Sequence, residues 1–285
     1  MKTDSSSPNQ ITDYLLTRAD YNLSQQSLNL KQSQVQDEMD FLGGIGRSFK
    51  IMSEYQVEDP FAPESPLVVN IGCLTGTAYM TGLRTYFTAY SPLKRTIQGA
   101  PMASWSAMSG SFGRKYRSTG LDDLVLTGRA ARPSILVLRQ GIDGPEISLD
   151  DAPDSMIGAM TPEKFKWLNE NYNQPEKRKY HAHFSVIGPA GENWDKVWYA
   201  CIVGSTQEQL MSGEDKFRFA GRLGMGSVLG SKNILAIVAY AEKDDYPKGD
   251  ERLKPINQEI GRGDQSKVYR PVSYTHLRAH ETVHY

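Results

Sequence analysis

Cysteine is nearly absent: only Cys73 and Cys201 occur among the 285 residues. Two thiols are too few for a disulfide framework, fit a reducing compartment, and cannot supply the four thiolates of an iron–sulfur cluster. Histidine is scarce too, with His181 and His183 in the body of the chain and His276, His280 and His284 crowded near its end. No apolar run approaches the roughly 18 to 20 residues that cross a bilayer. Met1–Gln10 lacks the basic and apolar regions of a secretory signal, so the protein reads as cytoplasmic, with no membrane partner. Excess charge of one sign is also missing. The 32 Lys and Arg nearly cancel 33 Asp and Glu, leaving a formal net charge of -1. Nothing pulls the chain toward nucleic acid, and any anion must be bound locally.

What remains is an ordinary globular composition, 39% hydrophobic and 23% charged. Residues 1–36 are rich in Ser, Gln and Asn, which predicts a loose polar arm with one strand near Tyr21–Leu30. Asp37–Ser53 reads as a glycine-rich turn entering a short helix, and Pro60, Pro63 and Pro66 end it. Short β-branched or aliphatic runs then predict strands at 67–71, 124–127, 134–138, 184–187, 197–203 and 234–240. Thr161–Asn171 reads as a helix capped by Thr161, with Pro162 at its first position. The fold class expected is α+β with a substantial sheet and few helices. Residues 37–244 form the domain, 245–271 a charged linker in which order fades, and 272–285 a tail resembling a translated cloning adapter. A genuine terminal helix is the other reading of that tail.

Three segments concentrate Gly, Ser and Thr beside single arginines: 72–91, 109–117 and 220–233. Backbone N–H groups in such segments can approach an anion closely, phosphate being the natural candidate. Gly224, Gly226 and Gly230, followed by Ser231-Lys232-Asn233, suit a turn feeding a short helix whose amino end faces phosphate. The spacing matches neither a Walker loop nor the dinucleotide fingerprint. Read alone, the glycines serve equally as tight turns between strands. Arg84 and Arg222 offer planar, permanently charged forks within these segments, or else two solvated surface residues. His181 and His183 share one side of an expected strand, but no third ligand is spaced to complete a metal site. Cys73 lacks a nearby base and reads as a small core residue, while Asp122, Asp123 and Glu192 read as turn or capping residues.

Four stretches, in order, resemble the amino-terminal domain of the aldehyde ferredoxin oxidoreductase family: Phe41-Leu-Gly-Gly-Ile-Gly46; Asp59-Pro-Phe-Ala-Pro-Glu-Ser-Pro-Leu67 with Leu74-Thr-Gly-Thr77; Ile187-Gly-Pro-Ala-Gly-Glu-Asn193; and Ala220-Gly-Arg-Leu-Gly-Met-Gly-Ser-Val-Leu-Gly-Ser-Lys-Asn233. The resemblance covers about residues 25–242. It implies two β-sheets forming a saddle-like base for a bis-molybdopterin cofactor that holds tungsten or molybdenum, with Mg²⁺ tying the two phosphates together. By resemblance, Arg84 of the Thr81-Gly-Leu-Arg84 stretch lies between pterin and a 4Fe-4S cluster. Ala220 gives a backbone carbonyl to the Mg²⁺, and Gly221, Arg222 and Gly224 belong to a pterin loop. The second carbonyl falls to Met108, before Ser109-Gly110, where the family carries Asn.

The activity implied is oxidation of an aldehyde to a carboxylate, with electrons passing through the cluster to ferredoxin in a homo-oligomeric enzyme. The catalytic residues and cluster cysteines of the family belong to a carboxyl-terminal half. Two alternatives stay open: the tungsten subunit of a benzoyl-CoA-reductase-type enzyme, and a non-catalytic cofactor-binding or scaffold module. The segment 91–122 is longer than the family's usual form and carries Trp105 where smaller residues are common, which leaves substrate scope undefined.

Overall fold

A computed structural model describes residues 15–77, 82–243 and 253–263. Its strands are β1 (Leu15–Asn22), β2 (Ser27–Gln34), β3 (Leu67–Ile71), β4 (Thr85–Arg95), β5 (Pro101–Met108), β6 (Asp123–Thr127), β7 (Ser134–Gln140), β8 (Pro145–Asp151), β9 (Ala182–Val186), β10 (Ile202–Gly204), β11 (Arg218–Ala220) and β12 (Ile234–Tyr240). The helices are α1 (Gly44–Met52), α2 (Ser111–Arg117), α3 (Thr161–Tyr172), α4 (Pro189–Glu192), α5 (Gln207–Ser212), α6 (Met225–Ser231) and α7 (Leu253–Arg262). The class is α+β with two sheets, as expected. Among the described residues no helix is long and apolar enough to cross a membrane.

The first sheet has the order β2-β1-β6-β3-β4-β5, and the second, read from its far edge, β8-β7-β12-β9-β10-β11. Subtracting six from each label of the second order reproduces the first. Strand senses agree as well: β1 and β6 are parallel, β7 and β12 are parallel, and every other neighbouring pair is antiparallel. Helices α1 and α3 follow the opening hairpins, while α2 and α6 each join the edge strand to the last strand of their sheet. Registers match: Ala19 stands between Leu30 and Leu124 as Leu136 stands between Leu149 and Ile237. The described chain is therefore one β-β-α-β-β-β-α-β unit used twice, with α4 and α5 inserted in the second copy and α7 following it. The main apolar core, from Leu67 and Phe87 to Phe184 and Ile237, runs through both halves, and a smaller one of Ile51, Met52, Val68 and Val125 lies under α1.

Several sequence expectations are corrected. From Leu15 on, the polar arm is a hairpin, because β1 buries Leu16, Ala19 and Tyr21 and takes its ladder from β6, a long-range partner invisible to local composition; residues 1–14 lie outside the described residues. Strands β4 and β5 escaped notice because Pro92 lies within the first and Pro101 opens the second. The run 197–203 is a strand only from Ile202. Helix α3 takes Met160, not Thr161, as its amino-terminal cap, and the Glu163 carboxylate accepts from the Met160 N–H at 2.8 Å. Within the expected linker, residues 253–262 form α7, whose apolar positions lie on one face. The expected tail, 272–285, lies outside the described residues.

Two buried polar clusters hold the halves in shape. Under the first sheet, Arg47 of α1 is ion-paired with the fully buried Asp123 and with Glu38 at 3.1 Å. Asn70 donates to Asp123 at 3.2 Å and to the Gly44 carbonyl at 3.0 Å. Burial raises the Asp123 carboxyl, and Arg47 and Asn70 oppose that shift. Gly43 lets this corner close, since a Cβ there would stand 2.8 Å from the Ile71 carbonyl oxygen.

Lys232, just past α6, forms the second cluster. Its buried Nζ donates to the carbonyls of Ser65 at 2.6 Å, Pro63 at 3.3 Å and Gly128 at 3.4 Å. It thereby clips the proline-rich loop of the first half to the last helix of the second. Burial, helped by the Arg129 charge, pushes the Lys232 amine down to about 7. An unfolded lysine keeps its proton to about pH 10.4. The unfolded chain thus binds the extra proton between these values, so the fold gains stability as pH rises through that window. Denaturant titrations from pH 7 to 10 are expected to show this rise for the natural chain relative to Lys232→Met. Parallel stability curves would contradict it.

Candidate functional site

Of the four sheet edges, two meet. Strand β5 closes the first sheet, β11 closes the second, and they lie against each other. The Arg222 N–H donates to Ser106 Oγ at 3.1 Å. A Cβ on Gly110 would stand 3.1 Å from Arg218 Cγ and 3.2 Å from the Ser205 carbonyl oxygen. Gly204 similarly leaves room for the Met108 thioether, which a Cβ would approach to 2.5 Å. Ser111 Oγ accepts from the Gln207 N–H at 2.9 Å, and Ser91 Oγ donates to the Leu223 carbonyl at 2.9 Å.

This junction gathers the residues singled out from sequence. Met108 and Ala220 are the last residues of β5 and β11, and both are buried. They are equivalent positions of the repeat: Met108 pairs with Thr85 as Ala220 pairs with Ile202. Ser109 and Gly110 follow Met108, and Gly221, Arg222 and Gly224 follow Ala220, with Gly110 and Gly224 capping α2 and α6. Arg84 immediately precedes Thr85, the partner of Met108, which sets it across from Ser109. Arg84 and Arg222 are exposed, and among the described residues neither guanidinium has a hydrogen-bond or ion-pair partner. Two planar cations with unspent donors thus leave the same junction. Thr81, which opens the Arg84 stretch, lies outside the described residues. Sequence reading missed Ser106 and Arg218; only recognition of β5 as a strand would have put them beside the loop of Arg222.

Gly224 and the glycines of α6 are packing positions: a Cβ on the buried Gly224 would stand 2.1 Å from the Trp198 carbonyl oxygen. Every residue of α6 is buried, and the Gly226 N–H donates to the Ala200 carbonyl at 2.9 Å. A Cβ on Gly226 would meet the Cys201 carbonyl oxygen at 2.3 Å, and one on Gly230 would meet that of Gly191 at 1.8 Å. The amino end of α6 is covered by the chain itself, so the expectation of a phosphate there is corrected: Gly226 and Gly230 let α6 pack on α4 and on 200–201. Glu192 in α4 is the partly buried counter-charge of the buried Lys164 and also accepts from the Gly158 N–H at 2.8 Å. Burial lowers the Lys164 amine, with Glu192 opposing the shift.

The remaining candidates are placed elsewhere. His183 Nδ1 contacts Ser205 Oγ at 3.1 Å, and the His181 ring lies 6.1 Å from that of Tyr240. Among the described residues no group of three or more His, Cys, Asp or Glu is arranged to hold a metal. Cys73 is exposed rather than part of the core, and its carbonyl accepts from Arg117 Nη2 at 2.9 Å. Cys201 is partly buried, which raises its thiol. Asp122 accepts from the Thr17 N–H at 2.8 Å, capping the register of β1.

Comparison with known proteins places these features in context. The family model described as aldehyde ferredoxin oxidoreductase, N-terminal domain, matches residues 20–241. The tungsten-containing aldehyde ferredoxin oxidoreductase of Pyrococcus abyssi (strain GE5 / Orsay) is 32% identical over 200 residues, covering 70% of this chain and 28% of that protein. An aliphatic sulfonate oxidoreductase, WOR-like subunit, of Pyrococcus furiosus is 29% identical over 210 residues, covering 70% of this chain and 30% of that protein. Among solved structures, the active site complex BamBC of benzoyl coenzyme A reductase, with 1,5 dienoyl-CoA, superimposes with a TM-score of 0.65 at 25% identity. That match covers 80% of this chain and 31% of the BamBC chain. The chain spans less than a third of the length of these relatives.

Glycines that pack against backbone and glycines that face open space are separable by mutation. Gly230→Ala is expected to cost about 3 kcal/mol in chemical denaturation, because its methyl group meets backbone. Gly221→Ala is expected to change stability by no more than about 0.5 kcal/mol, a change usual at an exposed site. The nearest atom to a Cβ on Gly221 is Phe219 Cβ at 3.9 Å. Equal effects would refute the division.

Proposed function

The chain belongs to the aldehyde ferredoxin oxidoreductase family, as its amino-terminal domain, and on that premise we propose that the β5–β11 junction cradles the phosphorylated pterins of a tungsten cofactor. The observation supporting this is that Arg84, Met108–Gly110 and Ala220–Gly224, scattered over 141 positions (84 to 224), meet where two equivalent strands end. Molybdenum in place of tungsten would make the same demands on these residues.

The donor set fits such a group. A guanidinium binds a phosphate or the edge of a flat heterocycle through paired N–H donors, and both arginines have these donors to spend. Backbone carbonyls of Met108 and Ala220 are hard oxygen ligands of the kind Mg²⁺ takes when it bridges phosphates. Substituting Met108 for Asn removes a side-chain amide but no backbone carbonyl. Ser109, Gly110 and Gly221 present little or no side chain, so a planar ring can lie close to the backbone. These residues bind and orient; none is placed to move a proton. When bound, the tungsten bis-pterin would supply the oxidation of an aldehyde to a carboxylate, with electrons leaving through a 4Fe-4S cluster to ferredoxin. Cys73 and Cys201 are the chain's only cysteines, too few to supply the four thiolates such a cluster would take. The BamBC likeness favours a second reading, reduction in a benzoyl-CoA-reductase-type enzyme, which would use the same cradle.

Calorimetric titration of the chain with a pterin bearing a phosphomonoester side chain is the test. Saturable binding strengthened by Mg²⁺ is expected, and Arg222→Gln should weaken it about tenfold, the worth of a charged hydrogen bond. Absence of saturable heat, or equal affinity in the variant, would overturn the assignment.

A further inference from the structure

Between the β1–β2 hairpin and helix α1 lies a cavity of about 180 Å³, none of whose lining residues belongs to the junction. Its wall carries four cations, Arg18, Lys31, Arg47 and Lys50, against two carboxylates, Glu38 and Glu54. Arg18 is fully engaged, by Glu54 at 2.7 and 2.9 Å and by Asp20 at 2.6 Å. Arg47 is not. Its Nε pairs with Asp123 and its Nη1 with Glu38 at 3.1 Å, while Nη2 has no partner among the described residues although the side chain is only 6% exposed. A buried guanidinium nitrogen is costly to leave without an acceptor. Lys31 and Lys50 each hold one carboxylate, Asp20 at 2.7 Å and Glu38 at 2.6 Å, and an ammonium has further N–H groups to give.

The repeat supplies an internal control. By strand register, Ile135 stands where Arg18 does, and Asp150 where Lys31 does. In the second half Tyr172, at the end of α3, donates to Asp150 at 3.1 Å. The cations are therefore particular to the first half and do not follow from the fold. We propose that this cavity binds a small oxyanion that keeps a proton, of the inorganic phosphate class, with Arg47 Nη2, Lys31 and Lys50 donating to it. Size sets the limit. A cavity of about 150 Å³ encloses a benzene-sized molecule and larger organic ligands take about 300 Å³ or more, so phosphate fits here and a nucleotide or phosphorylated pterin does not. Asp20 and Asp123 offset the excess of positive charge from outside the lining, so binding rests on directed N–H donors rather than on net charge. Glu38 and Glu54 select among anions: they repel one that is fully deprotonated but accept the O–H that phosphate retains at neutral pH and sulfate lacks.

The measurement is the phosphorus NMR line width of inorganic phosphate titrated with the full chain at neutral pH and constant ionic strength, with sulfate as competitor. Saturable binding is expected, with sulfate competing about tenfold more weakly, the worth of one charged hydrogen bond. Lys31→Gln and Lys50→Gln alter side chains that are 53% and 41% exposed, which the fold tolerates. Each should weaken phosphate about tenfold, while Arg222→Gln at the junction should leave it unchanged. Absence of saturable binding, phosphate lost in Arg222→Gln but kept in both lysine variants, or sulfate competing as well as phosphate would each overturn the proposal.

Discussion

The lateral contact between β5 and β11 is the interaction on which the domain's arrangement depends. Each strand ends a six-stranded sheet, and an edge exposes unpaired backbone groups that must be covered, paired or protected. Here each edge covers the other, through Ser106 and Arg222, Gly110 and Arg218, and Met108 over Gly204. Closing these edges fixes the relative position of two sheets that are otherwise joined through a common apolar core. It also brings two strand ends, two helix caps and two arginines to one place without any of them being close in sequence.

The repeat explains why the junction is nearly symmetric, and the departures from symmetry show where it is specialised. Gly113 in α2 and Gly226 in α6 occupy the same place, each against the residues that lead into the fourth strand of its half. Gly120 and Asn233 both hold left-handed backbone before the last strand. By contrast Arg84 precedes β4 where Cys201 precedes β10. One half sends a permanent cation to the junction from this position, and the other a thiol that burial keeps neutral. The second half supplies its cation from the loop of Arg222 instead. A ligand with two chemically similar ends would meet a different charge environment at each.

Much of the fold was legible because aliphatic runs such as Leu67–Ile71 and Ile234–Tyr240 are buried on both faces and so read as continuous apolar strands. What escaped was specified by distant partners. Strand β1 has a polar sequence that pairs with β6 about a hundred positions away, and β5 mixes serine with exposed side chains because it lies at an edge. The candidate site residues were named through resemblance, whereas their convergence was not legible, since it required β4, β5 and β11 to be recognised as strands. The glycines of α6 show the opposite error. Gly226 and Gly230 look like a phosphate loop in one dimension, yet in three dimensions they are where two backbones touch. No local signal separates a glycine that admits a ligand from one that admits a carbonyl.

The most direct test of the central claim is a crystal structure of the chain grown with Mg²⁺ and a pterin monophosphate. Density is predicted at the β5–β11 junction, with the cation between the carbonyls of Met108 and Ala220 and the phosphate within reach of Arg84 or Arg222. A junction that remains free of ligand while the pterin binds elsewhere would contradict it.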